Sequence, residues 1–209
     1  MLNFIQSILS PVKSAAVILL ILTGAVASCK RDGNQSAAKN PASAAAAKAQ
    51  LDVLRDSVDQ KWRNMIESDD QKIGLTRLLL RELQGQPGSN AAQLQGLERA
   101  NARLKARRYT QQTMVSSDLI DQYDAAQDSV LHAVYPVAAP NGQAPTENAR
   151  NFVEGLQQLD EGVVGFRVQY DRAAMQYNDY LKLHQTELQS LGGKYAEIKP
   201  LPLFTVQVP

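Results

Sequence analysis

The sequence predicts an all-α protein, an elongated antiparallel bundle of three long helices that run up, down and up, with an extended C-terminal tail. Three observations predict this class. Apolar residues recur every three or four positions along most of the chain, which is the spacing of a helix face. Two stretches rich in Gly and Pro divide that pattern into three. The composition favours Ala, Gln, Leu and charged residues, with one Trp and four Phe in 209 residues, which suits long helices.

The first predicted helix begins at Ala47 and ends at the sequence GQPGSN, residues 85–90, where Gly and Pro break the pattern. Its apolar stripe has a gap at Asp69 and Asp70. The stripe consists of Leu51, Leu54, Val58, Trp62, Met65, Ile66, Ile73, Leu79, Leu80 and Leu83.

The second predicted helix runs without a break from Ala91 to Tyr135, and Pro136 is expected to end it. The sequence KARRYTQQT, residues 105–113, interrupts its stripe. The stripe consists of Leu94, Leu97, Leu104, Met114, Val115, Leu119, Ile120, Tyr123, Val130, Leu131 and Val134.

The third predicted helix begins near Thr146 and Glu147 and ends at Leu191, where Gly192 and Gly193 can form a C-cap. Short connections make neighbouring helices antiparallel. The helical domain is thus predicted over residues 47–191 and the extended apolar tail over residues 192–209. In this topology the tail would lie at the opposite end of the bundle from the start of the first helix.

The N-terminus, residues 1–28, is predicted to be a lipoprotein signal peptide. The uncharged apolar run 14–27 follows Lys13 and is shorter than the ~20 residues of a membrane-spanning helix. Small residues then precede Cys29, the only cysteine of the chain, as in the lipobox of bacterial lipoproteins. Cys29 is the predicted lipidation site. The alternatives are an uncleaved anchor helix and a free cysteine.

Residues 29–46 are rich in Ala, Ser, Asn and Gly without periodicity, so they are predicted to form a flexible tether between lipid and bundle. Their lipid would hold the protein to a membrane of the cell envelope, facing the periplasm or the exterior. Lys30, rather than an acidic residue, follows the cysteine, which favours the outer membrane in a Gram-negative cell.

The formal net charge of +1 is too small to favour a strongly charged partner such as nucleic acid or an anionic lipid surface. One basic ladder, Arg99, Arg103 and Arg107, could bind an anionic polymer, or it could be a solvated helix face. No aromatic residues interleave it as nucleic-acid sites require, so no nucleic-acid partner is expected.

A polar layer is predicted half-way along the bundle. If the first turn is centred near Pro87 and Gly88, Asp69 and Asp70 lie opposite residues 105–107, so Asp69 or Asp70 is expected to pair with Arg107 or Arg108. The second connection brings Tyr170 or Tyr177 to the same level. A charge buried without a partner is costly, so we expect these groups to pair. Such a layer would fix the helix register or lie on a solvated face, and a ligand site is the less favoured alternative.

Catalytic motifs are absent: the sequence has no HExxH, paired CxxC, P-loop or GxGxxG. No cofactor is expected. One acidic constellation on the second helix could hold a divalent cation, or be a solvated face. It consists of Asp121, Asp124, Asp128 and His132.

The third helix resembles that of the LemA family, in which L-x3-E-x2-I-x3-R-x2-Y-N-x2-V-x2-Y-N recurs. The matching residues are Leu156, Asp160, Val163, Arg167, Tyr170, Asp171, Ala174, Tyr177 and Asn178. The tail KPLPLF, residues 199–204, is similar to the closing KPxPxF of that family, and Val58, Asp59 and Trp62 to its V-D-x-x-W. The resemblance implies a membrane-tethered helical bundle with no established enzymatic activity.

The function predicted from these features is that of a membrane-anchored scaffold or interaction protein of the cell envelope, not an enzyme. A protein partner would bind a helical face or the apolar tail, at Leu201, Leu203 and Phe204. The tail could instead pack back on the tip of the bundle. The alternatives are a binding module for an anionic envelope polymer and a metal-dependent enzyme.

Overall fold

The computed structural model describes residues 41–204, and this part of the chain is all-α, with no strand. Cys29 and the predicted signal peptide lie outside the described residues. Within them, no helix combines the length and apolar character needed to cross a membrane. The helices are α1 (Pro41–Gln84), α2 (Ala91–Arg107), α3 (Ser117–Ala138), α4 (Glu147–Leu183) and α5 (Gln185–Ser190), with 3-10 turns at Thr113–Val115, Pro140–Gly142 and Gly193–Tyr195.

The long helices α1 and α4 form an antiparallel pair. Early residues of α4 lie beside the end of α1, since Thr146 at the α4 N-cap donates a hydrogen bond to Glu82. Later residues of α4 lie beside the middle of α1, where Trp62 contacts Tyr170. The two helices therefore provide the continuous surface on which the other elements pack.

The prediction of one continuous second helix was wrong, because this part of the chain is a helical hairpin. Asn101 of α2 donates to the Ile73 carbonyl of α1, so α2 runs antiparallel to α1. In α3, Tyr123 bonds Asp69, and Gln127, further along the chain, bonds Lys72, so α3 runs parallel to α1. Four helices therefore alternate in direction, where three were expected.

The turn between α2 and α3 coincides with the interrupted stripe. Thr110 and Thr113 bond each other's backbone and side chains, which closes the turn locally. Tyr109 and Met114 are buried and fix it to the bundle. Polar side chains that bond the nearby backbone compete with helix, so this stretch reverses the chain.

Three other predicted boundaries were also wrong. Helix α1 starts at Pro41, earlier than Ala47, so it includes part of the predicted tether. Pro136 lies inside α3, which continues to Ala138. It is exposed and close to the helix end, so one lost backbone hydrogen bond is tolerated there. The third helix is broken at His184, which separates α4 from α5.

The core of α1 follows a strict alternation of four and three residues. The positions are Val58, Trp62, Met65, Asp69, Lys72, Thr76, Leu79 and Leu83. This is the spacing of a helix seam that faces partner helices on one side. Leu79, Leu94, Val134 and Leu156 are fully buried aliphatic residues of the core that the helices share.

The tail does not lie at the opposite end from the start of α1. Because α4 runs back along α1, the chain after α5 returns to the first half of α1, where Tyr195 bonds Asp52. Residues 196–204 then continue without regular structure along the bundle, and Phe204 reaches Trp62. The tail therefore packs against the side of the helices and not on the tip.

Candidate functional site

Residues 198–204 of the tail occupy a groove, which we call the tail groove. Asn178 on α4 makes two hydrogen bonds to the backbone of Leu201. Its amide nitrogen donates to the Leu201 carbonyl at 2.8 Å, and its amide oxygen accepts from the Leu201 N–H at 2.7 Å. A carboxamide that bonds both backbone groups of one residue holds an extended chain in a single register.

Two further α4 side chains bind the tail backbone. Tyr170 donates its hydroxyl to the Pro202 carbonyl at 3.1 Å. The Phe204 N–H donates to Asp171 at 2.8 Å. Tyr170 and Asp171 are 0% and 4% exposed, so both bonds lie at the buried floor of the groove. Since a chain without helix or strand cannot satisfy its own polar groups, these side chains do so.

The Phe204 ring ends the groove in an aromatic cluster. It stacks on Trp62 of α1, with ring centres 6.5 Å apart and planes 13° apart. Tyr109 and Tyr170 meet the same ring edge-on at 5.9 and 5.6 Å. The Arg167 guanidinium lies 5.0 Å from the Phe204 ring centre. Aromatic and cation–π contacts of this kind contribute ~0.5–1.5 kcal/mol each beyond area burial.

Arg167 connects the tail groove with a polar network between the helices. Its guanidinium also bonds Asp124 of α3 at 2.7 Å and the Tyr109 hydroxyl at 3.4 Å. Burial opposes the charge of Arg167, but the bonds to Asp124 and Tyr109 outweigh that effect and raise its pKa. The residue is thus a permanent cation shared between α3, the α2–α3 turn and the tail.

The polar network is centred on Arg108, which bonds Asp69 at 3.0 Å and Asp70 at 2.7 Å. Asp69 also accepts hydrogen bonds from Tyr123 and from Gln127. Burial and the nearby Asp69 carboxylate raise the pKa of Tyr123, so its hydroxyl remains a donor at neutral pH.

Lys72 extends the network to the opposite side of the bundle. Its side chain is 2% exposed, and its ammonium donates to Gln127 at 2.9 Å and to Asp160 at 2.8 Å. On the other side, Asp70 accepts from Lys105 at 3.1 Å. The network therefore crosses from exposed Asp160 on α4 to exposed Lys105 on α2. Four helices are tied together at one level.

The predicted polar layer is assembled from only part of the expected residues. Asp69 and Asp70 lie with Arg108, while Arg107 is exposed beyond them. Tyr170 lies at the tail groove instead. Tyr177 is buried further along α4, near the charges of Arg55 and Asp52, because α4 is antiparallel to α1.

The proposed cation site is not formed. Among residues 41–204, no group of three or more His, Cys, Asp and Glu side chains is placed to hold a metal ion. Asp124 points to Arg167, while Asp121, Asp128 and His132 are exposed. The acidic run of α3 is therefore a solvated face with one inward member.

Four residues of the site were missed from the sequence: Tyr109, Tyr123, Gln127 and Lys72. The strict four-three alternation in α1 places Lys72 in the core and could have identified it. Tyr123 belongs to the predicted apolar stripe, and the spacing does not indicate that its hydroxyl bonds a carboxylate. Gln127 falls on the same three-four spacing as Tyr123 and Val130, so the spacing could have identified it as well. Nothing in the spacing indicated Tyr109, because its position depends on the chain reversal after α2.

Some of the residues that carry the family resemblance meet at the tail groove. Trp62, Arg167 and Tyr170 contact Phe204, and Asn178 binds Leu201. Tyr177 lies outside the groove. No family model matches the chain, and neither a curated protein nor a solved structure shows significant similarity to it.

Proposed function

We propose that the protein is a membrane-anchored interaction protein of the cell envelope, with a LemA-like helical bundle and no catalytic role. The observation that carries the proposal is the tail groove. Trp62, Arg167, Tyr170 and Asn178 all bind an extended segment of chain. The polar and aromatic side chains of the groove therefore bind an extended peptide segment, which is the tail of the chain itself.

The tail is the proposed partner-binding element. Leu201, Leu203 and Phe204 are each half-buried, so the docked tail leaves part of its apolar surface accessible. A partner could bind that surface together with the neighbouring helices, or take up the tail after its release. Two apolar side chains of α4, Val164 and Val168, are exposed as well.

The proposed anchor is tested by replacing Cys29. Wild type and Cys29→Ser are compared by acyl labelling, intact mass and membrane fractionation. We expect labelled, membrane-bound wild type and an unlabelled, unprocessed variant. If wild type is unlabelled and still remains in the membrane, the anchor is an uncleaved helix and not a lipid.

The interaction role is tested by photo-crosslinking from the tail. A photoreactive residue at Leu203 should recover one specific envelope protein. The matched control places the same group at Gln95, which is exposed on α2, away from the groove. Equal products from both positions, or none from Leu203, would argue against a partner at the tail.

A second candidate function is binding of an anionic envelope polymer. Arg99, Arg103 and Arg107 are all exposed and lie one turn apart on α2. Charge reversal of Arg99 and Arg103 together should abolish retention on an acidic polysaccharide at low salt. Reversal of Arg172, an exposed arginine on α4, is the control. Unchanged retention would exclude this function.

A further inference from the structure

The tail and its groove form a recognition pair whose contacts are all between residues distant in sequence. The bonds to Leu201 come from Asn178, and the stacking on Phe204 comes from Trp62. Residues 196–204 have no helix or strand of their own. The docked conformation is therefore held by the groove and not by local structure of the tail.

The groove has the features of a peptide-binding site. Asn178, Tyr170 and Asp171 bind backbone groups, while the aromatic cluster accepts one ring. Pro200 and Pro202 favour an extended conformation before docking, which lowers the entropy lost on binding. None of these contacts requires the segment to belong to the same chain.

The root of the tail is built to change direction. Gly192 and Gly193 have φ of 68° and 55°, a region that other residues rarely adopt. A glycine pair can take many other conformations at low cost. Departure at this point leaves α4 and α5 intact, and it takes Tyr195 and its bond to Asp52 along with the tail, so Tyr195 would exchange together with residues 199–204.

We propose that the tail groove also accepts residues 199–204 of a second copy of this chain, so that two copies exchange tails and form a dimer. Exchange keeps every groove contact and changes only the conformation of the connection after α5. The remaining cost is the entropy of association, so the dimer is favoured by concentration. The inference goes beyond the proposed function because it needs neither a membrane anchor nor a foreign partner.

The test uses two full-length variants that are each incomplete. Asn178→Ala damages the groove and leaves the tail intact. Phe204→Ala leaves the groove intact and damages the tail, because the tail loses the ring that binds the aromatic cluster. An intact groove and an intact tail then meet only between copies. With different affinity tags, in mild detergent and with reductant to prevent Cys29 disulfides, we expect the mixture to form at least tenfold more dimer than either variant alone. No excess over the separate variants would overturn the proposal.

A second measurement uses wild-type chains, so it does not depend on the folding of variants. Two tagged wild-type copies are mixed at increasing concentration, and their co-recovery is measured with and without a synthetic peptide of residues 199–209. We expect co-recovery to rise with concentration and to fall at least tenfold with excess peptide. The control peptide carries Phe204→Ala and should compete poorly. Co-recovery that resists the native peptide, or no co-recovery at any concentration, would overturn tail exchange.

Discussion

The two halves of the α1–α4 pair are covered in different ways. Residues 65–84 of α1 are covered by α2 and α3, and we call this region the hairpin half. Residues 43–62 are covered by α5, the tail and, at Arg55 and Trp62, the α2–α3 turn, and we call this region the tail half. The hairpin half is tied mainly by bonds between side chains, such as Arg108 to Asp69, beside the one bond from Asn101 to the Ile73 carbonyl. The tail half is tied by side chains that bond backbone, such as Asn178 to Leu201.

The difference follows from what each covering element can do for itself. A helix satisfies its own backbone, so α2 and α3 need only side-chain packing and a few polar pairs for register. The tail cannot, and every buried backbone group needs a donor or acceptor from the bundle. The hairpin half is therefore expected to depend on buried charge pairing, and the tail half on hydrogen bonds to a removable segment.

Replacing Arg108 should have the largest effect on stability. Arg108→Met keeps most of the apolar stem but leaves Asp69, whose side chain is 16% exposed, without its cation. Breaking a mostly buried pair from one side costs about 3 kcal/mol. We expect a loss of that size in the free energy of unfolding, measured by denaturant titration.

The control is Arg107→Met, one residue away and exposed, which should change stability by less than about 0.5 kcal/mol. Asp69→Asn added to Arg108→Met should recover part of the loss, because it removes the unpaired negative charge. Equal effects of the two arginine variants would mean that the network contributes nothing specific to the hairpin half.

Replacing Asn178 should release the tail and leave the hairpin half folded. Asn178→Ala removes two hydrogen bonds to Leu201. At ~1 kcal/mol for each bond, docking of the tail weakens by about 2 kcal/mol. Hydrogen exchange should show faster exchange at the Leu201 and Phe204 amides, with little change in α2 and α3.

The matched control for the tail is Gln176→Ala, an exposed position on the same helix. It should leave exchange at Leu201 unchanged. If Asn178→Ala instead accelerates exchange equally in both halves, the tail is a part of one cooperative core, and the proposed distinction between the halves is incorrect.

Replacing Thr146 perturbs the end of the hairpin half and should have a smaller effect on the free energy of unfolding. Its hydroxyl oxygen caps α4 by accepting from the Ala149 N–H at 3.1 Å, and its hydroxyl donates to Glu82 at 2.8 Å. Loss of an N-cap costs ~1 kcal/mol. Thr146→Ala should lower the free energy of unfolding by about that amount, and Thr146→Ser, which keeps the hydroxyl, should restore it. No difference between the two variants would contradict the capping role.

Sequence periodicity was sufficient to predict an all-α chain and the two ends of the first turn. Spacings of three and four identify a buried face wherever one helix continues, as in α1 and α4. The position of that turn predicted a pair of Asp69 or Asp70 with Arg107 or Arg108, since antiparallel neighbours share levels at a fixed sum of residue numbers, and the structure selects Arg108 for both aspartates. These features depend on local pattern and on one short connection.

The chain reversal after Arg107 could not be obtained in the same way. An interrupted stripe predicts either a polar layer in a continuous helix or a turn between two helices, and KARRYTQQT fits both. The choice depends on whether Tyr109 and Met114 find a buried place in the assembled bundle. The position of Tyr170 and the location of the tail followed from that choice, so both were predicted incorrectly.

Asp70 should have the smallest effect on stability, and that effect should depend on pH. Burial acts to raise the pKa of Asp70, but hydrogen bonds from Arg108 and Lys105 outweigh it and lower the pKa below its ordinary value of 3.8. A carboxyl with a lowered pKa in the folded state stabilises the protein above the unfolded pKa, and this contribution is lost as pH falls through the folded pKa.

Because the Asp70 side chain is 41% exposed, its ion pairs are screened by solvent, and Asp70→Asn should cost only ~0.2–1 kcal/mol at neutral pH. The difference from wild type should begin to shrink as pH falls through the unfolded pKa of about 3.8, and it should vanish only below the lowered folded pKa, where the Asp70 carboxyl is uncharged like the Asn side chain. Denaturant titrations of both proteins across that range measure it. A difference that stays constant with pH would show that Asp70 acts through packing and not through its charge.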